Sequence, residues 1–282
     1  MLLQVRSPLP TPPSCSLRSE AALEEVHLRL DSYLPREVLQ ELHRGFPSNY
    51  RFKETFRLYE WQALCLNRPG ITDAARPRNL VYCAPTSGGK TLVAEILMYR
   101  RLLATHRPVL LVLPFVALCE EKARELEPPL QALGLTVRRF FGEESSREIL
   151  DSNTGAIVCT IEKANTIVNR LIENEVRSEH GLLGPEEPQS TLRDLSGVVV
   201  DELHMVGDPE RGYLLEEMLS KLVFAQRKWQ AAQGPQLPAR ESGGSLTPGE
   251  APYWIQASCL IPCPAPLSCP AKLVGPMPRI CR

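Results

Sequence analysis

Four short stretches of this chain are apolar almost throughout: 79–83 (NLVYC), 109–113 (VLLVL), 156–160 (AIVCT) and 197–200 (GVVV). Runs of four or five such residues are too short for helices and read as strands buried on both faces. A fifth, more polar strand is expected over 136–141. Helical periodicity separates them, over 91–104, 117–133, 161–174 and 212–226, with Pro128-Pro129 expected to break the second of these. Upstream, two short helices are expected over 20–42, with Pro35 in the first turn of the second, and another opens at Leu58-Tyr59-Glu60-Trp61-Gln62. Buried strands alternating with helices predict an α/β fold, a parallel sheet covered by helices on both faces. Ligands of such sheets bind at the carboxyl ends of the strands.

Two motifs stand at those ends. The first strand runs into Ala84-Pro85-Thr86-Ser87-Gly88-Gly89-Lys90-Thr91. This is a P-loop pattern, G-x-x-x-x-G-K-[ST], with Ala84 in place of the first glycine. Backbone N–H groups of such a loop, together with the helix N-terminus behind it, attract a polyphosphate. Lys90 is expected at the outer phosphates, and the Thr91 hydroxyl is expected to take a Mg2+ position. The alternative, a glycine-rich turn with a chance lysine, is weakened by the strand before and the helix after. The 197–200 strand runs into Asp201-Glu202-Leu203-His204. Asp201 is expected to hold Mg2+. Glu202 is expected to orient and deprotonate the attacking water. An acidic pair can also simply cap a helix, but two such coincidences at the correct strand ends favour an ATP-Mg2+ site.

The two motifs together, APTSGGKT and DELH, resemble motifs I and II of superfamily 2 helicases with a DExH box. Residues 58–62 resemble the adenine-sensing Q motif, with Gln62 as its reader. Leu113-Pro114-Phe115-Val116-Ala117 resembles motif Ia, and Thr160-Ile161-Glu162-Lys163-Ala164-Asn165 resembles motif Ib. The stretches SGGKTLVAEILM, TIEKANTIVNRLIE and DELHMVGDPERGYLLE resemble the Ski2-like branch, most narrowly its polymerase-theta-type DNA helicases. The likeness runs from about residue 33 to 224.

The resemblance implies a RecA-like P-loop domain that hydrolyses ATP to move on single-stranded or forked DNA, 3′ to 5′, in the nucleus. It implies a nucleic-acid path along Pro114, Phe115, Thr160, Glu162 and Lys163, with Arg211 touching the backbone, and a coupling role for His204. The motifs alone do not separate DNA from RNA, and a non-catalytic binding module is the other alternative.

Composition frames the rest. With 43% hydrophobic and 23% charged residues and a net charge of -1, the chain reads as globular rather than as a basic nucleic-acid coat. Its 26 prolines crowd both ends and the 234–252 stretch. The expected division is therefore a disordered tail over 1–19, the ATP-binding domain over 20–228, and a disordered Pro/Cys-rich linker and tail over 229–282. Of the 9 cysteines, Cys83 and Cys159 are expected as free thiols in strands, fitting a reducing compartment. The four of the tail lack the spacing of a zinc site. No targeting run and no membrane span is read. Past Phe224 the expectation is that no Ser-Ala-Thr motif III, second RecA-like domain or arginine finger follows, leaving weak ATP binding, poor hydrolysis and an exposed apolar edge. The 179–191 Gly/Pro stretch reads as an insert foreign to the family pattern.

Overall fold

The computed structural model describes residues 28–45, 53, 56–72, 78–84, 88–141, 150, 153–182, 184, 190–232, 254–260 and 273–274. Among the described residues, seven strands form one sheet in the order β3-β4-β2-β5-β6-β1-β7. They are β1 (Leu80–Ala84), β2 (Val109–Leu113), β3 (Thr136–Phe140), β4 (Thr154–Thr160), β5 (Gly197–Val200), β6 (Trp254–Leu260) and β7 (Leu273–Val274). Every pairing is parallel except that of β1 with β7. The helices are α1 (Arg36–Gly45), α2 (Glu60–Leu66), α3 (Lys90–Thr105), α4 (Val116–Ala132), α5 (Ile161–Glu179) and α6 (Gly212–Ala232).

Strand alternation sorts the core into two layers, because successive side chains point to opposite faces. Leu80, Tyr82, Val109, Leu111, Val158 and Val199 pack with α1 to α4. Val81, Leu110, Val112, Ile157, Val198 and Val200 pack with α5 and α6. The expected parallel sheet with helices on both faces is the observed architecture.

The boundaries of β2 and β5 match the sequence reading, α3, α5 and α6 run longer than expected, and α4 is shifted by one residue. Pro128 and Pro129 do not break α4. They fall in its last turns, where each removes one i→i−4 bond and little helix remains to be disrupted. Pro35 precedes α1 instead of lying inside it, its carbonyl accepting the Leu39 N–H at 3.0 Å. The 1–19 tail lies outside the described residues.

The main correction concerns the end of the chain. Residues 229–232 complete α6, and Trp229 is buried, its indole donating to Glu175 Oε1 at 2.9 Å. Residues 254–260, expected in a disordered tail, form β6 between β5 and β1. The register places Gln256 beside both Leu80 and Val199. Neighbouring strands lie roughly 4.8 Å apart, so the gap between the strands carrying the two motifs is one strand wide, and its backbone groups demand a strand partner. Gln256 and Ser258 interrupt the apolar run, and a Pro/Gly-rich stretch precedes it, so local composition concealed a position that only nonlocal pairing defines. Cys83 is a second correction: it is disulfide-bonded, while Cys65, Cys119 and Cys159 are free and buried.

Two buried polar anchors hold the N-terminal helices against the sheet. The Arg100 guanidinium of α3, 6% exposed, donates to the carbonyls of Tyr33 (2.5 Å) and Thr72 (3.0 Å). Asn67, just past α2, donates to the Tyr33 hydroxyl at 2.6 Å. Burial pushes that phenol up to about 12, so it stays neutral. These contacts place α2, and with it Gln62, beside the glycine loop.

Candidate nucleotide site and nucleic-acid face

The glycine loop leaves β1 at Ala84 and enters α3 at Lys90. Pro85, Thr86 and Ser87 lie outside the described residues; Gly88, Gly89, Lys90 and Thr91 are half-buried. Gly89 has φ 77°, a left-handed conformation that glycine adopts without strain. A Cβ there would also lie 2.7 Å from Gln62 Nε2. Gln62 is 1% exposed, and its amide works in both directions. It accepts the Tyr59 N–H at 2.8 Å and donates to the Gly89 carbonyl at 2.8 Å. The residue expected to read a base is therefore also the strut that holds the loop. Beside it the Tyr59 ring is 62% exposed. The sequence reading passed over this residue, which offers a flat apolar surface at the loop. Lys90 reaches back toward the Ala84 carbonyl (3.4 Å), while its own carbonyl accepts the Tyr82 hydroxyl (2.8 Å).

Across β6, Asp201 follows β5, its N–H donating to the Val112 carbonyl at 3.0 Å. Its Oδ1 accepts the Glu202 N–H at 3.0 Å. Glu202 has φ 56°. Non-glycine residues rarely take this conformation, which costs on the order of 1–2 kcal/mol and concentrates at functional sites. Burial is the main cause holding the Glu202 carboxyl above its ordinary value; Asp201 adds to it, and Lys90 and His204 oppose it. Its Oε2 is buried without a hydrogen bond, although His204 Nδ1 lies 3.3 Å away. That contact is an ion pair only when the imidazole is protonated.

The two motifs converge. Thr91 and Asp201 line one cavity, which Glu95, Met98, Leu113 and Lys122 also border. The influence of Lys90 on Glu202 places them in one electrostatic site. The site fits a magnesium-bound polyphosphate on three observations. Asp201 adds to the raised proton affinity of the adjacent Glu202, a hydroxyl and a carboxylate share one cavity, and a buried carboxylate oxygen has no donor. Sequence reasoning missed the Glu95–Lys122 ion pair in that wall (3.6 Å, Glu95 5% exposed). A heptad-like apolar run surrounds Glu95, and no local signal marks its partner.

The nucleic-acid candidates divide. Phe115 is 52% exposed at the head of α4, while Glu162 is exposed and Lys163 half-buried in the first turn of α5. Pro114 is buried, and Thr160 is 7% exposed with its side chain making no cap to α5. These two shape the loops and do not offer side chains to a strand. Arg211, expected on a DNA backbone, faces three groups of the protein, although its buried Nε makes no hydrogen bond. It donates to the Pro114 carbonyl, pairs with Glu162 (Nε to Oε1 3.1 Å) and lies over the Phe115 ring at 5.3 Å.

Comparison with known proteins agrees with this geometry. The DEAD/DEAH box helicase family profile matches residues 68–233, more than half of the chain. Mouse DNA polymerase theta is 42% identical over 195 residues, covering 69% of this chain and 7% of that protein. The human POLQ-like helicase is 38% identical over 186 residues, covering 64% of this chain and 15% of the relative. The ATP-dependent DNA helicase Hel308 of Methanococcus vannielii is 31% identical over 158 residues, or 54% of this chain and 18% of its own length. The chain thus spans a minor part of each relative. No helix among the described residues is long and apolar enough to cross a membrane. With the glycine loop and the acidic tetrad at the ends of strands separated by β6 alone and the profile running across both, the chain belongs to the DEAD/DEAH box helicase family.

Proposed function

We propose that this chain is the first motor domain of an ATP-dependent DNA helicase of the repair type, binding ATP-Mg2+ and single-stranded DNA in the nucleus. The single observation that carries the reading is the shared cavity of Thr91 and Asp201, with Lys90 close enough to bias Glu202. The DNA part is supported by the names of the relatives, DNA polymerase theta and DNA helicase Hel308.

In this reading Thr91 and Asp201 hold the magnesium, which draws charge from the phosphate oxygens when bound. The glycine loop, Gly88 and Gly89 with Pro85, Thr86 and Ser87, cradles the phosphates, Ala84 sets its start, and Lys90 supplies a fixed positive charge. Gln62 keeps the loop in shape while facing the base. Glu202 accepts a proton from the attacking water. Its raised proton affinity brings it nearer to neutrality than an ordinary glutamate, which suits a general base. His204, in contact with Glu202, relays the state of the site toward the strand-binding loops. A second RecA-like domain would supply the opposing wall and the arginine that such phosphoryl transfers use, worth on the order of 10³–10⁵ in rate.

The test is binding of a fluorescent ATP analogue and of labelled single-stranded DNA and RNA, beside ATP turnover. Lys90→Ala should reduce turnover roughly 10²–10³-fold, the scale of losing one fixed electrostatic donor, with unchanged thermal stability. Magnesium-dependent nucleotide binding that is insensitive to Lys90→Ala would refute the site. Preference for RNA would move the reading to an RNA helicase, and nucleotide-independent strand binding to a non-catalytic module.

A further inference from the structure

Arg211 stands where three segments meet, and its backbone is firmly placed. Asp208 Oδ1 accepts the N–H groups of Glu210 (3.0 Å) and Arg211 (2.8 Å), shaping the turn into α6. The next residue, Gly212, lies against the Val206 carbonyl so closely that a Cβ could not be added there without a shift. Val206 belongs to the turn Leu203–Gly207 that directly follows Glu202. Arg211 is thus tied by its main chain to the acidic tetrad.

Its side chain leaves in the other direction. The guanidinium donates to the Pro114 carbonyl at the end of β2, covers the Phe115 ring at the head of α4, and pairs with Glu162 at the head of α5. Only a planar, multi-donor group can reach a carbonyl, a carboxylate and a ring face together. Glu162 cancels the charge that a phosphate would seek.

We propose that Arg211 is a positioning residue that braces the Pro114–Phe115 segment and the head of α5 against the acidic tetrad, and that it does not contact a nucleic-acid phosphate. Strand occupancy of these segments is then coupled to the nucleotide site through the Arg211 side chain and the 203–212 turn. The coupling part rests on the proposed function; the brace itself does not.

The experiment therefore has two arms on the full chain, with Arg211→Ala, Arg211→Lys and Glu162→Gln. The first arm is amide hydrogen exchange without ligand. Arg211→Ala should speed exchange at 115–119 and 161–165 by roughly tenfold, the scale of losing charge-assisted contacts, with β2 and β4 amides unchanged. Arg211→Lys should restore little. Unchanged exchange in these segments overturns the brace, whether or not the chain binds any ligand. The second arm measures affinity for an oligo-dT strand against salt, with and without a non-hydrolysable ATP analogue. Each phosphate contact on a single strand adds about 0.7 to the salt slope. The brace predicts an unchanged slope for Arg211→Ala, and a nucleotide effect on strand affinity that falls toward none. A slope reduced by about 0.7 makes Arg211 a phosphate contact and overturns the proposal. An Arg211→Ala chain that keeps the wild-type nucleotide effect overturns the coupling. Glu162→Gln should lower the nucleotide effect in the same direction; a higher strand affinity with a steeper slope would instead mark Glu162 as a competitor for a phosphate-binding Arg211. Failure of the wild-type chain to bind nucleotide and strand defeats the functional reading and the coupling with it, and leaves the exchange arm to judge the brace.

Discussion

The two halves of the sheet reach the same geometry by different routes. On one side β2, β4 and β5 are wholly buried runs, with β2 pairing directly with each of the other two. On the other, β1 carries the glycine loop, yet among the described residues it joins the rest of the sheet only through β6. One half is specified by local composition and the other by a strand recruited from some 170 residues downstream. The half that carries the glycine loop is thus the less redundantly held, and overall stability and phosphate binding should separate when each half is damaged.

The strongest blow to that asymmetry is Gln256→Pro. A proline inside a central strand deletes a ladder bond on a strand flanked on both sides. The expected cost is about 1–3 kcal/mol for the buried carbonyl left without its donor, to which the ring's clash in a central strand adds, and nucleotide binding should be lost while amides of β2 and β4 remain protected from exchange. Nucleotide binding that survives with β1 still protected would show that β1 does not depend on β6.

Leu110→Ala probes the opposite half. The side chain is 0% exposed between the sheet and the α5–α6 layer. Its truncation should cost about 3 kcal/mol in denaturant unfolding, while nucleotide affinity of the folded molecules stays at the wild-type value. A matching fall in affinity would mean the halves are not separable.

Gly89→Ala acts on the loop itself. A left-handed backbone costs a non-glycine residue about 1–2 kcal/mol, and the added methyl would collide with the Gln62 amide. Nucleotide affinity should drop more than tenfold with only a modest fall in melting temperature. Gln62→Ala removes both the collision and the strut, so the double variant should be no weaker than the worse single one; additive losses would argue against a shared contact.

The smallest expected effect is on stability at Glu202. Burial and Asp201 raise its carboxyl above the ordinary 4.5, so the folded state holds the proton more tightly than the unfolded one. The ionised carboxylate therefore opposes folding, with a penalty that grows as pH rises from 4.5 through the folded value and is complete above it. Glu202→Gln should raise the melting temperature at pH 8 by roughly 1–2 °C, little because the side chain remains partly hydrated. The gain should vanish below pH 4.5, and ATP turnover should be lost at every pH. A gain that persists in acid would assign the effect to something other than ionisation.

Most of the fold was legible in advance, and the reason is residue chemistry. Apolar runs such as 109–113 exclude water on both faces and leave few alternatives to a buried parallel strand. The placement of Gly89, Lys90, Thr91, Asp201 and Glu202 followed because each motif is contiguous and begins at a strand end. Arg211 was singled out, but its partners were not: Pro114, Phe115 and Glu162 lie far away in sequence, and no pattern local to Arg211 names them. The same holds for Glu95 with Lys122 and for Gln62 with the Gly89 carbonyl.

Sequence alone therefore determined the layered α/β class, the strand ends that carry the site and the chemistry of its side chains, because propensity and contiguous motifs are local properties. Tertiary structure decided that 254–260 is a central strand, that β1 hangs on it, and that Arg211 faces Pro114, Phe115 and Glu162. Strand pairing and ion-pair choice depend on which surfaces meet in space, and a weakly apolar segment or a lone arginine shows its partner only after the chain has closed around it.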